Sequence, residues 1–122
     1  ALTRLAVESW NDGCIGEGAA ALRATTEATL TRDRRARDGL QTIAREEASH
    51  AELAWDVVRW ATDAGGPTVR DAVTRAVAAS AMPATVADSV GEGGRSRLGP
   101  AAKAKIHEAV TAAAADRWSD GG

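Results

Sequence analysis

The sequence predicts an all-α chain in which a long antiparallel helix hairpin is followed by two shorter C-terminal helices. Three observations carry this. Alanine, the strongest helix former, supplies 29 of the 122 residues. Apolar residues recur at spacings of three and four through most of the first 64 positions. The breaks are few: the charged "TRDRRARD", the "GGP" at Gly65 to Pro67, and the glycine-rich "DSVGEGGRSRLGP".

Taken in order, the first helix is expected from Thr3 to Thr31 and the second from Arg35 to Ala64, with Asp33 as the N-cap of the second. Gly65, Gly66 and Pro67 stop that helix and start a third, "TVRDAVTRAVAASAM", which Pro83 ends. The glycine-rich stretch after it lacks the Gly-Lys-Ser/Thr ending of a phosphate loop and is preceded by no strand, so it is expected to be a connector. A last helix runs from Ala101 to Trp118, with "SDGG" frayed beyond it. Residues 1–64 thus form a helix pair and residues 65–122 a C-terminal helical extension.

Composition narrows the function classes. Leu, Ile and Val together number 19 and Phe is absent, so the core of large side chains is thin and the helices are expected to lean on something further. A formal charge of −2 argues against a nucleic-acid partner. No run of 18 apolar residues exists, so no membrane span is expected. Cys14 is the only cysteine, which excludes an intrachain disulfide and a cysteine-rich zinc site. The chain opens at Ala1 with neither an initiator Met nor a signal-like segment, the pattern of a processed or truncated product, and the cytoplasm is its expected compartment.

The stretch "LQTIAREEASHAELAWDVVRW" carries the chemistry. At 100° per residue, Leu40, Ile43, Ala44, His50, Ala51, Ala54, Val58 and Ala61 all fall within about 60° of Glu47, so Glu47 and His50 sit at the centre of an apolar stripe. Asp38, Arg45, Ser49, Glu52, Asp56, Arg59 and Asp63 make the opposite, solvated face. Leu53, Val57 and Trp60 widen the apolar surface on one flank, where a further helix is expected to pack. On the first helix the stripe around Glu17 collects Ala6, Trp10, Gly13, Cys14, Ala20, Ala21, Ala24 and Ala28. With the hairpin turning near Asp33, Glu17, Glu47 and His50 reach the same height, roughly 24 Å from the turn at about 1.5 Å per residue.

Two carboxylates and an imidazole in one seam need compensation for lost solvation, and a cation supplies it. This donor set suits Fe, Mn or Zn. The i, i+3 spacing lets a Glu oxygen and a His nitrogen converge on one ion from adjacent turns. The competing account pairs Glu47 with an arginine and makes His50 a satisfied core histidine. The other residues are plainer. Cys14 reads as a small packed side chain, Glu46 as solvated, His107 as surface, and Trp10, Trp55, Trp60 and Trp118 as packing anchors. Gly13, Gly16 and Gly18 each cost the first helix about 1 kcal/mol relative to Ala, tolerable where another backbone approaches closely or where the helix bulges beside a site.

"CIGEGAAALRA" and then "LQTIAREEASHAELAWDVVRWA" together resemble the ferritin-like domain proteins common in myxobacteria and their relatives, over about residues 8–64. Those proteins carry a Glu in a Gly/Cys-containing helix and then a phrase like "IA-x-[DE]-E-x-x-HA-x-LAW". The resemblance implies the second helix pair of a four-helix bundle around two metal ions, most often iron, with Glu17, Glu47 and His50 as ligands. It further implies that Glu47 bridges while Glu17 and His50 are terminal. This chain departs from the family in lacking the first helix pair, which supplies another Glu and another Glu-x-x-His. A homodimer, as in encapsulated ferritins, a partner helix pair, or an N-terminal half removed upstream of Ala1 would restore the missing three ligands. The wider superfamily includes iron oxidases, peroxide reductases and substrate oxygenases, so the resemblance implies oxygen- or peroxide-linked redox chemistry without choosing among these. A metal-free helical interaction module is the alternative from a different class.

Overall fold

The computed structural model describes residues 1–81 and 98–121, and every element among them is helical. Pro83 and residues 88–97 of the glycine-rich connector lie outside the described residues. The first rod is α1 (Leu2–Glu8), a π-helical segment (Ser9–Glu17) and α2 (Gly18–Leu30), running without interruption. The backbone turns extended at Thr31 and Asp33, and α3 (Arg34–Gly65) comes next. The Asp33 carboxylate accepts a hydrogen bond from the Ala36 N–H at 2.9 Å, so it caps α3 as its position before the helix predicts. Gly66 takes the left-handed φ of 70° that stops α3, and Pro67 opens α4 (Pro67–Ser80) in the first-turn position where no N–H is needed.

The last helix, α5 (Pro100–Gly121), runs past Trp118 instead of fraying there. Its end is pinned by side chains: the Trp118 indole N–H donates to the Thr74 hydroxyl of α4 at 3.3 Å, and Arg70 lies 5.6 Å over the Trp118 ring.

Residues in contact between the first rod and α3 step outward from the link at 31–33. Glu17 meets His50, Gly13 meets Ala54, and Leu2 approaches Gly65. At Gly13 the approach is so close that a Cβ added there would overlap the Ala54 Cβ, which explains the glycine. Gly16 and Gly18 lie in or beside the π-helical segment.

The core lies at the end remote from that link. Trp10, Val58 and Val73 are fully buried, and Ala6, Cys14, Ile15, Ala54, Trp55, Ala61, Val69 and Ala114 join them. Trp10 and Trp55 meet edge to face with centroids 5.6 Å apart. The Trp10 indole N–H donates to the Ser80 hydroxyl at 2.9 Å, which ties α4 to the first rod. In α3 every buried residue falls at Ala51 or later.

Two expectations for the core need correction. The stripe drawn around Glu17 includes Ala20 and Ala21, but Ile15 and Ala19 are the buried residues, while Ala20 and Ala21 are only partly covered. A π turn holds more residues than an α turn, so side chains beyond it are rotated relative to a 100° projection. Trp60 is not a packing anchor: it is 59% exposed, with Leu53 at 63%, because no described helix covers their flank of α3. Trp10 and Trp55 are buried, and Trp118 packs against the core's edge.

Candidate metal centre

Glu17 is the last residue of the π-helical segment, and Glu47 and His50 sit one turn apart on α3. The structure brings all three together. His50 Nδ1 lies 3.1 Å from Glu17 Oε2 and 3.9 Å from Glu47 Oε1. One donor atom from each residue lies within 4.8 Å of the other two.

These separations fit a shared cation. Bonds of about 2.1 Å place neighbouring ligand atoms roughly 3 Å apart and opposite ones roughly 4.2 Å apart, and both observed distances fall in that interval. The chemistry of the set agrees: two carboxylates supply charge to a hard or borderline ion, and one imidazole nitrogen favours a transition metal over magnesium or calcium.

Electrostatics point the same way. The Glu47 carboxyl is pushed above the ordinary glutamate range, first by its hydrogen bond with Glu17, then by partial burial and by the Glu17 charge, with His50 opposing. Two carboxylates so close repel each other when both are ionised, so a positive neighbour is favoured between them. Neither Glu17 nor Glu47 pairs with an arginine among the described ion pairs, and His50 faces carboxylates.

Burial is where the arrangement departs from expectation. The side chains of Glu17, Glu47 and His50 are 33%, 28% and 58% exposed, so they stand on the open edge of the seam. The cause is the same bare flank that exposes Leu53 and Trp60. From Glu17 and His50 an open groove of about 380 Å³ runs past Gly13 and Ala54 to Leu5, Leu53 and Val57, with Glu8 and Asp12 along its rim.

The remaining candidates lie elsewhere. Cys14 is buried on the opposite flank, beneath α5, where burial pushes its thiol up to about 12. Glu46 is exposed, and His107 is partly covered on α5. Glu52 is exposed, as the helical projection places it, and from that face it holds α5. Arg117 donates to its two oxygens at 2.7 and 3.0 Å while its guanidinium lies 4.3 Å over the Trp55 ring. Glu52 is held below the ordinary carboxylate range by that hydrogen-bonded Arg117. Nothing in the spacing of α5 marks Arg117, because alanines cover nearly every face of that helix.

The chain matches no family model, no curated protein and no solved structure. Among the described residues no helix is long and apolar enough to cross a membrane.

Proposed function

We propose that the chain supplies half of a ferritin-like, carboxylate-bridged di-metal centre that uses iron in oxygen- or peroxide-linked redox chemistry. The observation that carries this reading is the convergence of Glu17, Glu47 and His50 from two helical rods to within 4.8 Å. On this reading α1–α2 and α3 form the antiparallel hairpin of a half-bundle. Glu47 is the bridging ligand and Glu17 and His50 are terminal, as the family resemblance implies. Bound iron supplies a redox couple accessible to oxygen or peroxide; Mn or Zn fits the same donors. The residues of the chain bind and orient the ion: the Glu17 and Glu47 carboxylates offer it negative charge, and His50 contributes a neutral nitrogen. The remaining ligands come from a second copy related by a twofold axis or from another helix pair. Two copies bring four carboxylates and two imidazoles, which balance two divalent cations in charge.

Metal analysis of protein purified without chelator tests this. About one iron per chain is expected, with Glu47→Ala and His50→Ala both losing it. No transition metal in any sample overturns the proposal. Where iron is bound, uptake of oxygen with Fe(II) as the only reductant identifies an iron oxidase, and its absence favours an oxygenase or peroxidase role.

A second reading is favoured by the exposed Leu5 and Leu53, which line one groove with Glu17 and His50, and by exposed Trp60 farther along α3. It is a metal-free interaction module whose bare flank receives another helix. In that case self-association or partner binding survives Glu47→Ala and fails with Leu53→Asp.

A further inference from the structure

On the other flank of α3 a second groove, of about 610 Å³, lies between α2 and the first turns of α3. Its α3 wall is a single ridge, Arg37, Gln41 and Arg45, each four residues from the next and spanning about 12 Å. Its α2 wall is Thr25 and Thr29, and Ala28 and Ala44 lie between the two walls. The metal-centre residues are not part of it.

The positive charges in this groove have no ion-pair partner among the described residues. Arg4, Arg59 and Arg117 each hold a carboxylate, at 2.8, 2.8 and 2.7 Å. Arg37 is partly buried, yet neither it nor Arg45 has an ion-pair partner among the described residues; Arg45 makes one 3.3 Å bond to the Thr42 hydroxyl. The amide of Gln41 is likewise uncommitted among the described residues. The threonines do not compete as donors, because Thr25 gives its hydroxyl proton to the Ala21 carbonyl and Thr29 to that of Thr26. Two guanidinium groups and an amide donor therefore border a floor of alanines, with no negative group in the lining among the described residues.

From this we infer that the groove binds an amphipathic organic anion: a carboxylate or phosphate head on the guanidinium groups of Arg37 and Arg45, and a hydrocarbon body along Ala28 and Ala44. Arginine gives planar, paired donors matched to either head group. The volume is in the range that holds a small organic ligand. The assignment does not depend on the metal centre.

Isothermal titration with octyl phosphate, octanoate, octanol and inorganic phosphate tests it on the whole chain. Saturable binding of octyl phosphate or octanoate is expected, with the better of the two naming the head group. Arg37→Gln and Arg45→Gln are each expected to weaken it about tenfold or more, and Ala44→Trp, which fills the floor without changing charge, to abolish it. Leu53→Ser, on the bare flank, leaves it unchanged. Octanol binding as tightly as the anions, inorganic phosphate binding as tightly as octyl phosphate, undiminished binding by all three groove variants, or no saturable heat with either amphiphile overturns the assignment.

Discussion

The two halves of α3 are built on different terms. From Ala51 onward the helix is gripped by α1, the π-helical segment and α4 and buries Ala51, Ala54, Trp55, Val58, Ala61 and Thr62. From Arg34 to His50 it buries nothing completely, and α2 is the main neighbour. Glu47 and His50 stand where one regime gives way to the other. A site at that boundary has a packed foundation on one side and open space on the other, which suits the proposal that further ligands come from outside this helix pair.

The largest test of this contrast is Trp10→Ala, which empties the centre of the packed half. It is expected to cost about 3–5 kcal/mol in urea unfolding, whereas Leu40→Ala in the open half costs under about 1 kcal/mol. Comparable losses at both positions erase the distinction. Gly13→Ala is next. Its new methyl must push the first rod off Ala54, for about 1–3 kcal/mol. Because Glu17 lies one π turn away, the same variant is expected to lose metal even where it stays folded, read as iron content against a circular-dichroism melt.

Arg117→Ala is expected to cost about 1 kcal/mol, from one half-exposed ion pair and one ring contact. Its sharper effect is on Cys14, whose thiol gains access to solvent when α5 loosens. Reaction with a disulfide reagent should accelerate severalfold over the wild type. Unchanged reactivity means that α5 is held by other contacts.

The smallest effects are those of pH, and here two carboxylates on α3 move in opposite directions. Glu52 is depressed in the folded state by Arg117, so its contribution is present above the ordinary glutamate range and disappears as pH falls through the depressed value. The stability gap between wild type and Arg117→Ala should therefore close in acid. Glu47 is raised by its bond with Glu17, so the metal-free fold gains from its proton at low pH and loses that gain as pH rises through the raised value. Glu47→Gln is accordingly expected to raise the Tm of metal-free protein at neutral pH, with the advantage fading below the ordinary glutamate range. A melt series from acid to neutral pH reads both.

Much of this architecture is legible in the residues. Periodicity and the Asp33 and Gly66 signals give the helices and their ends, and equal distances from the turn bring Glu17 to Glu47 and His50, because α-helical rise is nearly constant. Periodicity misses whatever depends on a neighbour it does not name. The projection that puts Glu52 on a solvated face has no means of knowing that Arg117, 65 residues later, reaches it. Trp60 looks like core because its type is apolar, yet burial is a property of what covers a residue. Ile15 and Ala19 are misplaced by an assumed turn of constant width.

The wide turns of Ser9–Glu17 that displace Ile15 and Ala19 also bear on how the chain tolerates change in length. A helix wound in wide turns accommodates one residue more than an α-helix would. Removing Gly16 lets the segment relax into ordinary α-helix, so the rod survives a deletion of a kind that would misalign every contact made by α3. The expected cost is in aim: the Glu17 carboxylate shifts away from His50 while the Trp10 side of the rod stays packed. Shortening by one residue is thus expected to separate the packing of this rod from the placing of its carboxylate, leaving a folded chain whose Glu17 no longer meets His50.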